Sequence, residues 1–282
     1  MFTKLSNSWA LVKASAQVLR ADKELVIFPI LSSIGTLVVT LTFFLPTILA
    51  GAFDTLFSQR SQIMGFIVVF FFYLAQYLVI FFANTALVGA ALIRLRGGNP
   101  TVGDGFRIAF SRFGAILGYA LIAATVGMIL KTLSKKSGGF GRAIISLIGF
   151  AWNIATFLVV PVLAVENVGP IEAVKRSVQL LKKTWGEQIA GNLGMGAFFG
   201  LVTFLALLVG ISATFLAFAV TEAVWLALLV GLLFIFALVI IGLISSTLNG
   251  VYTAAVYLYA VEGRSEGFFK PELVEGAFRS LK

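Results

Sequence analysis

The chain contains no cysteine and no histidine. That excludes disulfides, thiol nucleophiles, histidine-based triads, haem held by histidine and metal sites of the Cys/His kind. It leaves the redox compartment open, since a chain without thiols is compatible with either. Charge is also scarce: Asp, Glu, Lys and Arg make up 12% of the 282 residues, about half the share in a soluble domain. In their place the chain is 60% hydrophobic, with 28 Phe and a mean hydropathy of +1.03. A soluble fold has too little interior for so much apolar side chain, and a lipid-facing surface removes that limit. The composition therefore predicts an all-α, polytopic membrane protein, one membrane domain over residues 1–282.

Uncharged stretches occupy 25–53, 61–93, 113–130, 143–165, 188–221 and 223–261. Each can hold the roughly 20 apolar residues that cross a hydrocarbon core of about 30 Å. Splitting the last stretch near Asn249-Gly250 would leave a final piece too short to span. Six transmembrane helices, paired as three hairpins, are expected. The first stretch follows a long charged segment and exceeds a signal-peptide core, so it reads as a retained anchor.

Of the 21 Lys and Arg, which leave the chain at +9, sixteen fall on one side of this arrangement. The positive-inside rule makes that side cytoplasmic, with both termini there. The excess of positive charge then faces anionic lipid headgroups, and nucleic acid is not an expected partner. Lys131, Lys135, Lys136 and Arg142 depart from the rule: with Ser137 to Gly141 they form an expected outer loop at 131–142, suited to an acidic partner. Its glycines lack the spacing and the Lys-Ser/Thr ending of a phosphate loop.

The segments between spans carry an internal repeat. Leu11-Val-Lys-Ala-Ser-Ala-Gln-Val-Leu-Arg20 aligns with Ala173-Val-Lys-Arg-Ser-Val-Gln-Leu-Leu-Lys182. Phe2, Leu5, Trp9, Val12, Ala16 and Leu19 recur at helical spacing, as do Ile171, Val174, Val178, Leu181 and Trp185, with polar residues opposite. Pro100-Thr-Val-Gly-Asp104-Gly105 matches Pro271-Glu-Leu-Val-Glu275-Gly276. A Pro followed by an acid suits a first helical turn, and Pro170 with Glu172 fits the same pattern. The expected unit is an amphipathic interfacial helix followed by a hairpin, at about 1–96, 97–166 and 167–262, with a fourth interfacial helix at 268–282. Trp9 and Trp185 become interfacial anchors, and Lys13, Arg20, Arg107, Arg112, Lys175, Arg176, Lys182 and Lys183 candidate contacts to anionic headgroups. Packing of the same helices on the spans is the alternative, and both can hold.

No acid or base sits mid-span, which argues against proton relays and ion-coupled transport and against acid–base or metal catalysis inside the membrane. Asn84, Asn153 and Asn249 remain as a candidate intramembrane polar cluster. Each lies on an even-numbered span, 13 residues before Gly97, Glu166 and Glu262 respectively. Interhelical hydrogen bonding and a polar solute or headgroup cavity are the two readings of this layer. Thr85, Thr156, Ser245, Ser246 and Gln76 are its expected neighbours.

The string Ser8-Trp9-Ala-Leu-Val-Lys13-Ala-Ser15, continuing through Val18-Leu-Arg20-Ala-Asp22-Lys23-Glu24-Leu25 to Phe28-Pro29, resembles an uncharacterised family of prokaryotic integral membrane proteins. Gly97-Gly-Asn-Pro100-Thr and Asp104-Gly105-Phe106 extend that likeness. The helix-plus-hairpin repeat also resembles, more weakly, the membrane domain attached to some glycerophosphodiester phosphodiesterases. These resemblances imply a fold and a prokaryotic cytoplasmic membrane but no reaction. The expected role is non-enzymatic and free of cofactors: organising lipids or a membrane-protein partner through basic interfacial helices. The alternative is a transporter or channel for a neutral or lipid-like solute.

Overall fold

A computed structural model of the chain describes residues 2–49, 62–185 and 194–263, and their secondary structure is helical. Helix α1 (Phe2–Ala21) passes through a 3-10 turn at Lys23–Val26 into α2 (Ile27–Leu49). Then come α3 (Gln62–Leu95), the short α4 (Val102–Ser111) and α5 (Phe113–Lys136). After these follow α6 (Gly139–Ala155), α7 (Val159–Val165), α8 (Pro170–Trp185), α9 (Gly194–Thr221) and α10 (Val224–Glu262).

Six segments are long and apolar enough to cross a bilayer: Lys23–Leu49, Ile63–Leu95, Phe113–Lys136, Gly139–Val165, Phe198–Val220 and Val224–Glu262. They match the six uncharged stretches one for one, so the chain is a multi-pass membrane protein. The last uncharged stretch, 223–261, forms one unbroken helix from Val224 onward, α10. The expected helix at 268–282 lies outside the described residues.

The second span, α3, is the hub: it packs against α2, α4, α5, α7 and α10. The other close pairs include α9 with α10, α5 with α6, and α7 with α8. Buried residues concentrate at one end of the bundle: Phe28 at the start of α2, Ala86 to Leu92 near the end of α3, Ile116 and Tyr119 early in α5, Leu158 to Leu163 around α7, and Val251 to Leu258 late in α10. We call this the packed end. Elsewhere the apolar side chains face outward, as with Phe215, Leu228 and Phe236, where lipid would cover them.

Short helices make the packed end dense. Helix α1 lies on α9 and α10, α4 on α3, and α8 on α7 with contacts to α5, α6 and α10. Helix α4 approaches so closely that a Cβ on Gly105 would stand 2.8 Å from the Ala86 carbonyl oxygen and collide with the Phe28 ring. A left-handed glycine, Gly97 or Gly263, follows the last turn of α3 and α10, where any other residue would be strained.

Two local expectations change and a third holds. The loop at 131–142 is almost entirely helix: α5 runs to Lys136 and α6 starts at Gly139, leaving Ser137 and Gly138 as the turn. Lysines in the last turn of a helix complement its carbonyl end, which favours that extension. Pro100 precedes α4 instead of opening it: Thr101 is the N-cap, closing a capping box with Asp104. Pro170 does open α8, with Glu172 in its first turn.

The fourth span breaks at Thr156-Phe157-Leu158, between α6 and α7. Pro161 has no N–H for the Phe157 carbonyl, so a continuous helix would lack that bond. The Phe157 N–H turns to the Ile154 oxygen at 3.1 Å. That leaves the Leu158 N–H without its usual acceptor, and the Ser177 hydroxyl on α8 accepts it at 3.1 Å.

Candidate functional site at the packed end

The three short helices share one division of their surfaces. On α1, Leu11, Ala14, Ser15 and Val18 are buried, Trp9, Ala16 and Leu19 are partly or fully exposed, and Lys13, Gln17 and Arg20 point out. On α8, Ala173, Ser177 and Leu180 are buried, Ile171, Val174 and Val178 are more open, and Glu172, Lys175, Gln179 and Lys182 are exposed. On α4, Gly105 and Ala109 are buried, Phe106 and Phe110 lie on the flank, and Arg107 and Ser111 are exposed. With about 3.6 residues per turn, the apolar flank lies roughly 120° around from the buried face. Each helix therefore has a side against protein, an apolar side left open and a polar side. The open side holds Trp9 at 50% exposure, Phe110 at 65% and Ile171 at 63%.

The periodic apolar face expected for α1 and α8 is thus divided. Val12 and Leu181 are buried, Trp9, Ala16, Leu19, Ile171, Val174 and Val178 lie on the more open flank, and the centre of the buried side falls at Ser15 and Ser177. Both serines are completely buried. Ser177 serves the broken span. The Ser15 hydroxyl has no hydrogen-bond partner among the described residues.

The eight basic candidates divide. Lys13, Arg20, Lys175 and Lys182 are exposed and in no ion pair among the described residues. Arg107 is also exposed, and pairs with Asp104 at 2.7 Å. Lys13, Arg107 and Lys175 occupy the same position on their helices, two residues before the buried faces' central Ser15, Ala109 and Ser177. Arg176 is half-buried and its Nε donates to both Glu166 carboxylate oxygens, at 3.0 and 3.1 Å. Arg112 donates to Asn167, and its Nε is buried without a partner. These last two serve packing. The side chains of Lys183 and Trp185 lie outside the described residues. Trp9 packs against Phe198 with ring centres 5.5 Å apart.

Beneath the exposed cations runs a belt of polar ties between span ends. Asp22, 9% exposed at its side chain, takes a two-pronged interaction from Arg94, which also donates to Asn99 at 2.6 Å. Arg96 pairs with Glu262 at 3.0 Å. Glu166 accepts from the Tyr257 hydroxyl of α10 at 3.1 Å as well as from Arg176. On α4, the Thr101 hydroxyl and N–H donate to the Asp104 carboxylate, at 2.8 and 3.0 Å. Those bonds, with Arg107 beside them, hold Asp104 below its ordinary value of 3.8. A cavity of about 400 Å³ opens between α3, α4 and α7, with apolar walls that include Leu92, Ile93 and Ile108, and with Arg96 in its lining.

The three asparagines do not meet as a hydrogen-bonded layer among the described residues. Asn84 is half-buried, and Asn153 and Asn249 are exposed. Their recorded bonds are backbone ones: the Asn249 carbonyl accepts from Thr253 at 2.8 Å, and the Asn153 carbonyl from Thr156 at 3.5 Å. The interhelical amide bond inside the membrane is made by Gln76, which donates to the Thr36 carbonyl at 3.1 Å and the Thr40 hydroxyl at 2.8 Å. Sequence reasoning named Gln76 only as a neighbour of the asparagines. It missed the Asp22–Arg94 and Glu166–Arg176–Tyr257 ties, whose only signal was acids and bases at predicted span ends.

The family model described as Family of unknown function (DUF6159) matches residues 63–268. No curated protein and no solved structure matches the chain.

Proposed function

We propose that this chain, which belongs to the DUF6159 family of unknown function, organises anionic lipid, or a membrane-protein partner, at the headgroup level of a prokaryotic cytoplasmic membrane without catalysing a reaction. The observation that carries this is the three-way division of α1, α4 and α8, with a cation at the same place on each. A helix at a bilayer surface that also packs on a protein meets three environments: protein, acyl chains and headgroups with water. One helix surface of this kind would be ordinary. Three in the same register, each with part of its apolar flank uncovered, fit amphipathic interfacial helices repeated before successive hairpins. The cavity beside Arg96 adds apolar walls next to a guanidinium, a combination suited to an acyl chain and a phosphate. Excess positive charge at the packed end supports a cytoplasmic position for that end and for the N-terminus.

The test removes charge from two of the helices with Lys13→Gln, Arg20→Gln, Lys175→Gln and Lys182→Gln together. The protein is then purified gently from its native membrane, and mass spectrometry records every lipid and protein that accompanies it. Enrichment of anionic lipid, or of a stoichiometric protein, should fall several-fold, because each basic residue near the surface adds attraction to anionic lipid. An unchanged set of companions overturns the proposal.

The transport reading retains one supporting observation: Asn153 stands just before the break in the fourth span, and non-helical backbone at membrane depth is tolerated where it lines a cavity or is buried in protein. Asn84→Leu, Asn153→Leu and Asn249→Leu together should then leave a folded protein whose solute flux is lost. Flux that survives the triple substitution removes this reading.

A further inference from the structure

At the end of the bundle away from α1, α4 and α8, Lys131, Lys135 and Lys136 stand in the last two turns of α5. They help to line a half-open cavity of about 400 Å³ between α3 and α5. Its apolar lining includes Phe66, Val69 and Met128. Lys131 is exposed but tethered: its Nζ donates to the Tyr73 hydroxyl at 2.6 Å and sits 5.1 Å from the centre of that ring. None of the ion pairs among the described residues includes these lysines.

Three like charges gathered around one half-open space repel each other, although all three side chains are exposed and water screens part of that repulsion. The carbonyl end of α5 offsets a fraction of this. The strongest compensation is an anion placed between the lysines. Along α5 they cover about 8 Å at 1.5 Å per residue, the depth over which headgroup gives way to acyl chain. A ligand that fits both parts of the lining carries a negative phosphate and a hydrocarbon tail.

We propose that this cavity binds an anionic phospholipid, its phosphate held by Lys131, Lys135 and Lys136 and one acyl chain lying along Phe66, Val69 and Met128. Tyr73 fixes Lys131 in place and presents the rest of the ammonium to the phosphate. The site stands at the opposite end of the spans from the basic helix surfaces, so either reading can fail while the other holds.

The test reconstitutes the full chain in nanodiscs of phosphatidylcholine containing a photoactivatable phosphatidylglycerol, and maps the adducts by peptide mass spectrometry. Labelling is expected on the α3 segment around Phe66 to Tyr73 and on the α5 segment from Met128 to Lys136. Unlabelled phosphatidylglycerol should compete it away, while phosphatidylcholine and inorganic phosphate should not. Lys131→Gln, Lys135→Gln and Lys136→Gln together should reduce these adducts roughly ten-fold, since each basic residue contributes to anionic-lipid attraction, while adducts on α1, α4 and α8 persist. If the triple variant fails to fold, Lys135→Gln with Lys136→Gln keeps the Lys131–Tyr73 contact and should still lose several-fold. Undiminished labelling in a folded variant, or equal competition by phosphatidylcholine, overturns the site. Displacement by inorganic phosphate alone overturns the lipid and leaves a free-anion pocket.

Discussion

Gln76 and Asn249 are both amides at membrane depth, with different surroundings. Gln76 bridges α3 to Thr36 and Thr40 of α2, whereas the Asn249 side chain is exposed. Gln76→Leu should cost about 1 kcal/mol, the usual size of an interhelical hydrogen bond in a membrane, and Asn249→Leu should cost nothing measurable. Unfolding of the purified variants in mixed micelles reads both values, and a larger loss for Asn249→Leu would reverse the assignment. Asp104 makes a second prediction at this scale. Thr101 and Arg107 depress its pKa, so the folded state binds its proton less readily than the unfolded chain does. The stabilisation is then fully present above the ordinary value of 3.8 and is lost as pH falls through the depressed one. Amide exchange in the first turn of α4 should accelerate on acidification across that window, and Asp104→Asn should remove the pH dependence.

Among elements, Ser15 and Ser177 hold matching places on α1 and α8 and should respond oppositely to the same substitution. Ser177→Ala leaves the Leu158 N–H without an acceptor in a buried break and should destabilise by about 1–3 kcal/mol. Ser15→Ala removes a buried hydroxyl that has no partner and should be neutral or mildly stabilising. Thermal unfolding of the two single variants makes the comparison. The same pair marks how far the sequence could be read. Apolar spacing located α1 and α8, and the six spans, from their length and hydropathy. It could not say which part of an apolar arc meets protein, because lipid is as apolar as leucine and burial against it leaves no compositional trace. The surfaces that do pack mix large residues such as Leu11, Val18 and Leu180 with small ones, Ala14 with Ser15 and Gly105 with Ala109, and helical periodicity gives the small ones little weight. Lys13, Arg107 and Lys175 were readable as exposed cations. Arg112 and Arg176 were not separable from them, since Asn167 and Glu166 reach them only once the spans are assembled.

For the whole molecule, stability is concentrated at one end. Asp22 and Arg94 are 72 residues apart and tie the first span to the second. Asp22→Ala would leave the partly buried Arg94 guanidinium without its carboxylate, with Asn99 still accepting from it, and should cost about 1–3 kcal/mol. Asp22→Leu combined with Arg94→Met should recover most of that, as replacement of both members of a buried pair often does. Thermal unfolding of the single and double variants decides it. The arrangement of α1 has a consequence for biosynthesis. Helix α1 leaves the ribosome before the six spans described above, yet the helices it lies on, α9 and α10, carry the fifth and sixth of them. Its Leu11, Ser15 and Val18 surface must therefore wait, uncovered, through the insertion of four earlier spans. Chains arrested before α9 should carry an α1 that is readily cut by protease, and protection should arrive in one step when α10 emerges. A helix made early would thus report completion of one made much later.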